Sequence, residues 1–205
     1  MALKDLIRPL YYALRGHISR QRIRKHLRSN ADIFVEVGAG DKKGENGWLT
    51  IDMTRNCDIF WDLRNGMPFP NESVSKIYSS LFLEHLSFKE AQVFLDECLR
   101  VLVDGGLFSI CVPNAKLFIE AYSSSIMLDP NTFLGYKQAS NNTTSIDYVN
   151  YIAYMDGHHK YMFDQENLLF ILKLKGFKEV RSRGFDPALD LKQRDFVSIY
   201  AEALK

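Results

Sequence analysis

The sequence predicts an α/β fold, a doubly wound and mostly parallel sheet of seven strands in a single domain, preceded by a basic helix. Three observations carry this reading. Short apolar, β-branched runs alternate with segments of helical period. A strand-like run at 33–37 enters the glycine turn VGAGDKKG and returns as WLTID, ending on Asp52. A strongly patterned helix at 88–102 is bracketed by a capping signal and a double glycine.

Residues 1–30 form a basic amphipathic arm ahead of a domain spanning 31–205. The arm holds eight Lys/Arg and one acid, Asp5, while the rest of the chain is mildly acidic, so the net charge of +1 hides an asymmetry. Leu3, Leu6, Ile7, Leu10, Leu14 and Ile18 recur at helical spacing, and Arg20, Arg24 and Arg28 repeat every four residues. Two readings stand: a helix packed on its own domain with a solvated basic face, or an arm that touches an anionic membrane or a phosphate-bearing substrate. Nucleic acid is the weaker partner, because no binding module is recognisable.

Strands are expected at 33–37, 48–51, 57–60, 75–79, 107–112, 178–182 and 197–202. Only ten residues, 38–47, join the first two strands, fewer than the dozen or so of a parallel crossover with its helix. A dinucleotide site wants G-x-G-x-x-G opening a helix, with an acid roughly 20 residues on. This chain has Asp41, Lys42 and Lys43 after its second glycine, and its acid comes sooner. A nucleoside without a pyrophosphate suits it better, with glycines for close approach and Asp52 to accept from a ribose diol.

The helix 88–102 places Phe88, Ala91, Leu95, Cys98, Leu99 and Leu102 on one face, with Ser87 and Glu90 as a capping box and Asp104-Gly105-Gly106 as its stop. A second helix, 165–174, stops at Gly176. Between them, 115–157 is long, rich in Ser, Asn and Thr, and dotted with Tyr122, Tyr136, Tyr148, Tyr151 and Tyr154. It follows the fifth strand, over the edge where ligands bind, and reads as a partly helical substrate-covering insertion. Cys57, Cys98 and Cys111 fit no disulfide framework and read as core residues in a reducing compartment. With no signal-peptide core and no long apolar run, a cytoplasmic protein is expected, peripheral to the membrane if the arm binds lipid. The sequons at Asn71, Asn141 and Asn142 are then incidental.

Four segments carry a resemblance: VEVGAG around 36–40 with the acid of LTID, WDLRNGMPFPNESVSKIYSSLFLEHL (61–86), ECLRVLVDGGLFSICVPN (97–114), and GHHKYMFDQENLLFILKLKGFKEV (157–180) with VSIYAEA (197–203). Through these the chain resembles the class I S-adenosylmethionine-dependent methyltransferases, and more narrowly the short methyltransferases associated with cell-surface polysaccharide biosynthesis. The resemblance implies a Rossmann-like sheet with a C-terminal antiparallel strand and S-adenosyl-L-methionine as cofactor. It implies that Gly38 and Gly40 face the methionine part and that Glu36 steadies that turn or meets the ammonium group. Asp52 would hold the ribose hydroxyls, Asp62 and Leu63 would flank adenine, and Ser80 and Leu81 would line the floor below the sulfonium.

A hydroxyl or amine acceptor also needs a base, and histidine suits that task near neutral pH. His85 in LEHL follows the cofactor-lining turn, and His158 and His159 sit where the insertion returns to the sheet, with Tyr161 and Asp164 as candidate orienting groups. No metal set is expected, since His158 and His159 are adjacent and no C-x-x-C occurs. The expected activity is methyl transfer to a small-molecule or glycan-linked acceptor, at oxygen. The alternatives are a non-catalytic scaffold that keeps the nucleoside pocket, and an RNA methyltransferase using the basic arm. The oligomeric state is not legible.

Overall fold

The computed structural model describes residues 3–29, 31–126, 128 and 143–205. Tyr136, Asn141 and Asn142 lie outside them. One sheet of seven strands organises the chain, in the order β3-β2-β1-β4-β5-β7-β6. Its strands are β1 (Phe34–Val37), β2 (Trp48–Asp52), β3 (Ile59–Phe60), β4 (Val74–Ser80), β5 (Leu102–Pro113), β6 (Lys178–Ser182) and β7 (Ser198–Leu204). All neighbours from β3 to β5 are parallel, and β7 runs antiparallel to both β5 and β6. The expected fold class and all seven expected strands are present. Val35, Val37, Ile51, Ile77, Phe108 and Ile110 of the central strands, with Ile59 of β3, are buried in one core with Phe94, Leu95 and Cys98.

The helices are α1 (Leu3–Arg28), α2 (Phe88–Val101), α3 (Ala115–Ser123), α4 (Ser145–Tyr154) and α5 (Gln165–Leu174). The capping box of α2 is complete, with Ser87 Oγ accepting from the Glu90 N–H and Glu90 Oε2 from the Ser87 N–H. Two expectations about α2 need correction. Its stop is not Asp104-Gly105-Gly106: the helix ends at Val101, and Leu102, extended and fully buried, already pairs with Val74. The glycine pair is a bulge inside β5, because the next register pair is Lys76 with Leu107 and Gly105 takes a φ of 72°. Phe88 is exposed, and the core position on that face belongs to Phe94.

β3 is an edge strand, and α1 covers it. Ser19 Oγ accepts from the Phe60 N–H at 2.8 Å, Arg15 donates to the Cys57 carbonyl at 3.2 Å, and Arg22 donates to the Asp58 carbonyl and pairs with its carboxylate. Tyr12 stacks on Phe60, and Ile23 joins the core. An open edge presents unpaired backbone groups, so the face of α1 turned inward is the one carrying hydrogen-bonding side chains. Leu10, Leu14 and Ile18 consequently point outward, at 72%, 58% and 41% exposure. Among the described residues, no helix is long and apolar enough to cross a membrane.

Within 115–157, α3 and α4 pack on each other through Ala115, Phe118, Tyr148, Tyr151 and Ile152, a small second core that also takes in Val197. Cys57, Cys98 and Cys111 are buried free thiols, the last two within the apolar patterns that predict it.

Candidate active site

The site is built at the carboxyl ends of β1, β2 and β4. No helix stands between β1 and β2; side-chain hydrogen bonds hold the short crossover instead. Asp52 accepts from the Gly40 N–H at 2.9 Å and the Met53 N–H at 2.6 Å, and Thr54 donates to the Gly40 carbonyl. Asp41 takes two bonds from Asn56. Further along, the N–H groups of Gly44 and Thr50 and the Thr50 hydroxyl converge on one oxygen of Asp58. Gly38 turns the chain at φ 66°, and a Cβ there would lie 2.3 Å from the Phe82 ring.

Three hollows adjoin along this edge. The first is lined by Glu36, Gly38, Gly40, Ser80, Leu81 and Arg194, among others. The second contains Asp52, Trp61, Asp62, Leu63, Phe82 and His85. The third, about 520 Å³ of empty space, lies between Leu81, Glu84, His85, Phe118, Tyr151 and His159. Leu81 is shared by the first and third, and His85 by the second and third. Folding therefore brings the eight residues expected at the cofactor into the two outer hollows, flanking a third that holds two of the three expected histidines.

Several of these side chains are already engaged. Glu36 forms a two-oxygen ion pair with Lys42, at 3.0 and 2.8 Å. Asp62 caps the short 3₁₀ turn Leu63–Asn65 and is clasped by Arg64, whose hydrogen bonds hold the carboxyl below its usual range. Asp52 keeps lone pairs on both oxygens beyond its two backbone bonds. Leu81 adopts a φ of 51°, a left-handed conformation rare for a branched side chain, at the junction of two hollows.

His85 lies on the 3₁₀ turn Leu83–His85 that follows β4. The chain returning from α4 is stitched to that turn, because the N–H groups of Lys160 and Tyr161 donate to the Glu84 carbonyl. Nδ1 of His85 bonds to the His158 carbonyl at 2.9 Å, and Nδ1 of His159 to the Ile152 carbonyl at 2.8 Å. A carbonyl only accepts, so each Nδ1 carries the proton and each neutral ring keeps a bare Nε2. Burial lowers the affinity of both rings for a second proton. His158 is exposed and meets His85 through its backbone. Tyr161 and Asp164 do not orient the histidines: Tyr161 packs on Phe88 and Phe163, and Asp164 caps α5. Backbone carbonyls do that work.

Sequence reasoning missed Glu84, Phe82 and the whole β6–β7 loop. Glu84 is 2% exposed, its Oε2 has no hydrogen-bond partner, and burial pushes its carboxyl up to about 8. The β6–β7 loop supplies Leu189, Leu191 and Arg194 to the first hollow. It is pinned by a buried cluster: Asp190 accepts from Tyr78, from both Arg183 Nη atoms and from the Asp186 N–H, and Arg183 Nε reaches Ser109. No local pattern announces this pairing, because Tyr78 on β4 and Asp190 in the β6–β7 loop are 112 residues apart.

Residues 53–110 match the family model described as a methyltransferase domain. That span starts just after Asp52 and takes in Asp62, Leu63, Ser80, Leu81 and His85. No curated protein matches the sequence. Among solved structures, the chain is similar to a SAM-dependent methyltransferase from Archaeoglobus fulgidus, at 15% identity and a TM-score of 0.52, over 93% of this chain and 94% of that one. It is also similar to phosphoethanolamine N-methyltransferase 2 of Haemonchus contortus, solved with S-adenosyl-L-methionine, at 12% identity and a TM-score of 0.52. That alignment covers 91% of this chain and 52% of the other, so this chain spans about half the length of that enzyme. At such identities the likeness is one of fold: the Rossmann-like, seven-stranded methyltransferase fold.

Proposed function

We propose that this protein transfers a methyl group from S-adenosylmethionine to a hydroxyl of a small-molecule or glycan-linked acceptor, as in cell-surface polysaccharide biosynthesis. The methyltransferase-domain match and the methyltransferase fold support the reaction class and the cofactor. The single observation that carries the assignment to residues is the convergence of Glu36, Gly38, Gly40, Asp52, Asp62, Leu63, Ser80 and Leu81 on two hollows beside a third, histidine-lined one. The residues suit the cofactor. Asp52 has acceptor capacity left for a ribose diol, Trp61, Leu63 and Phe82 are flat or apolar walls for a base, and Gly38 and Gly40 open the turn toward the chain's polar end.

Bound S-adenosylmethionine supplies a methyl group already activated on a sulfonium. The chain's task is then alignment and exclusion of water. α3 and α4 roof the acceptor hollow with Phe118 and Tyr151. Leu81, common to both sides, separates cofactor from acceptor. A hydroxyl held in the hollow loses its proton to the bare Nε2 of His85 or His159, while His158, outside it, serves through its carbonyl.

Calorimetric titration with S-adenosylmethionine and S-adenosylhomocysteine tests this reading. Both should bind the wild type, and Asp52→Ala should weaken them at least about 30-fold, since two charge-assisted hydrogen bonds at roughly 1.5–3 kcal/mol each are at stake together with the bond to Gly40. A wild type that binds neither compound ends the methyltransferase reading. Binding without turnover on any hydroxylated acceptor favours the scaffold alternative.

The arm's outward face carries the membrane reading. Leu10, Leu14 and Ile18 are exposed on α1 with Arg24, Lys25 and Arg28 further along the same helix, a combination suited to an anionic lipid surface. Co-sedimentation with phosphatidylglycerol vesicles should drop at least about tenfold in the triple variant Leu10→Glu, Leu14→Glu, Ile18→Glu. Equal sedimentation of wild type and variant would remove the membrane from the account.

A further inference from the structure

The third hollow contains a constellation that no spacing in the sequence announces. Glu84, His85 and His159 each offer a potential ligand atom, and these atoms lie within 4.8 Å of one another. We propose that Glu84, His85 and His159 form a binding site for a divalent transition-metal ion of the zinc type, held by one carboxylate oxygen and two Nε2 atoms.

Three independent features support it. The first is the state of the rings. A metal-ligating histidine usually donates its other ring N–H to a carbonyl or carboxylate, which fixes the tautomer and leaves the ligating lone pair free. Both rings here are fixed in that manner, by the carbonyls of His158 and Ile152. Their centroids stand 5.1 Å apart, tilted by 62°, so the rings meet edge to face rather than stacked. The second is Glu84. A buried carboxylate oxygen without a partner is costly unless something binds it, and Glu84 Oε2 has none, although His85 Nε2 stands 4.0 Å from the other oxygen. The third is the space: the cluster opens onto the cavity and leaves a position for a fourth ligand.

The donor set selects the ion. Two imidazoles and a carboxylate suit zinc and its first-row neighbours, whereas magnesium and calcium favour oxygen alone. In a tetrahedral site, ligand atoms about 2.0–2.1 Å from one zinc ion stand about 3.4 Å apart, so binding draws the three side chains inward from separations of up to 4.8 Å. Three protein ligands with an open fourth position is the pattern of catalytic rather than structural zinc. The consequence for the reaction, unlike the binding itself, rests on the reading of this hollow as the acceptor site. With an ion present, the two histidines act as ligands instead of bases, and the acceptor oxygen is the natural occupant of the open position.

The test uses the full chain stripped with a chelator, then titrated with Zn²⁺ against a chromophoric competitor and with Co²⁺ by visible absorption. One equivalent of each is expected, with Co²⁺ bands of low-coordinate intensity, and Mg²⁺ should not compete. Glu84→Gln, His85→Asn and His159→Asn should each weaken Zn²⁺ by at least the roughly 10–100-fold that loss of an outer partner costs. The control His17→Ala, His26→Ala, on the exposed arm, should bind as the wild type does. Circular dichroism identifies any variant that fails to fold, and His85→Asn, at a half-exposed position, keeps the test informative in that event. Substoichiometric binding, affinity unchanged in folded His85→Asn, or loss of binding in the arm control overturns the site. S-adenosylmethionine is titrated into the stripped protein in parallel, so failure of the metal site and failure of the cofactor reading give different results.

Discussion

Gly38→Ala should abolish cofactor binding and destabilise the fold, while Gly40→Ala, two residues on, should carry only the cost of its backbone conformation. Both glycines take positive φ, 66° and 64°, so each alanine carries the left-handed penalty of about 1–2 kcal/mol. The difference lies in what the new methyl meets. At Gly40 nothing stands within 4 Å. At Gly38 the Cβ would fall 2.3 to 2.5 Å from Cγ, Cδ2 and Cβ of Phe82, the base of the side chain rather than its mobile end. Phe82 cannot simply withdraw, because its ring is set edge-on against Phe94, which is fully buried. Overpacking of this kind adds about 1–3 kcal/mol, giving on the order of 2–5 kcal/mol in all. Moving Phe82 also deforms a wall of the second hollow, so affinity falls with stability. Thermal unfolding and calorimetry measure the two effects. Phe82→Ala placed in the Gly38→Ala background should recover stability beyond the sum of the single changes. Wild-type melting and binding in Gly38→Ala would refute the close approach of loop and ring on which the site depends.

That glycine loop shows how far the sequence could be read. The strands were legible because apolar runs with turn residues at their ends survive in almost any tertiary context, and α5 was legible to the residue for the same reason. The missing crossover helix was legible as an absence. Its replacement was not, because the bonds from Asp58 to Gly44 and Thr50 follow no periodicity. The glycines at 105 and 106 misled: turn residues mark a departure from regular geometry, and a bulge within a strand departs from it as well as a loop does. On α1, hydropathy favours burial of Leu10, Leu14 and Ile18, but the neighbour is a strand edge whose unpaired N–H and carbonyl groups select Ser19, Arg15 and Arg22 instead. Of the candidate site, the residues that line the two outer hollows from within one motif were readable in order. The partners that meet only through folding were not: His85 and His159 are far apart in sequence, and Glu84 between two leucine-rich stretches looks like any helical carboxylate.

The second large effect concerns one such unreadable contact. Arg183→Met is expected to cost about 3–5 kcal/mol, because it leaves Asp190 as an uncompensated buried charge. The side chain of Asp190 is 1% exposed and that of Arg183 10%, and two bonds of 2.6 and 2.8 Å join them. Arg183 also lies over the Tyr200 ring at 4.8 Å and donates to Ser109, so a lysine could not replace its planar fork. The cost comes from the orphaned partner, not from the worth of the pair. The double variant Arg183→Met, Asp190→Leu should therefore recover most of the loss, and Tyr78→Phe, which removes a single bond to Asp190, should cost only about 0.5–1.5 kcal/mol.

Acid titration gives a second handle on the same cluster. Burial alone pushes the Asp190 carboxyl up, but the bonds from Arg183, from the Asp186 N–H and from Tyr78 together outweigh it and hold the group below its ordinary 3.8. A group depressed in the folded state stabilises the protein above its unfolded value and loses that contribution as the pH falls through the folded one. The wild type should thus lose stability below about pH 3.8, and in Asp190→Asn that part of the acid limb should flatten. Because the cluster anchors the loop bearing Leu189, Leu191 and Arg194, mild variants such as Tyr78→Phe should weaken S-adenosylmethionine while the protein remains folded at 25 °C. A Tyr78→Phe protein with reduced stability and unchanged affinity would separate the loop from the first hollow. Weakened affinity without a change in the acid limb of Asp190→Asn would place the loop's anchor somewhere other than this pair.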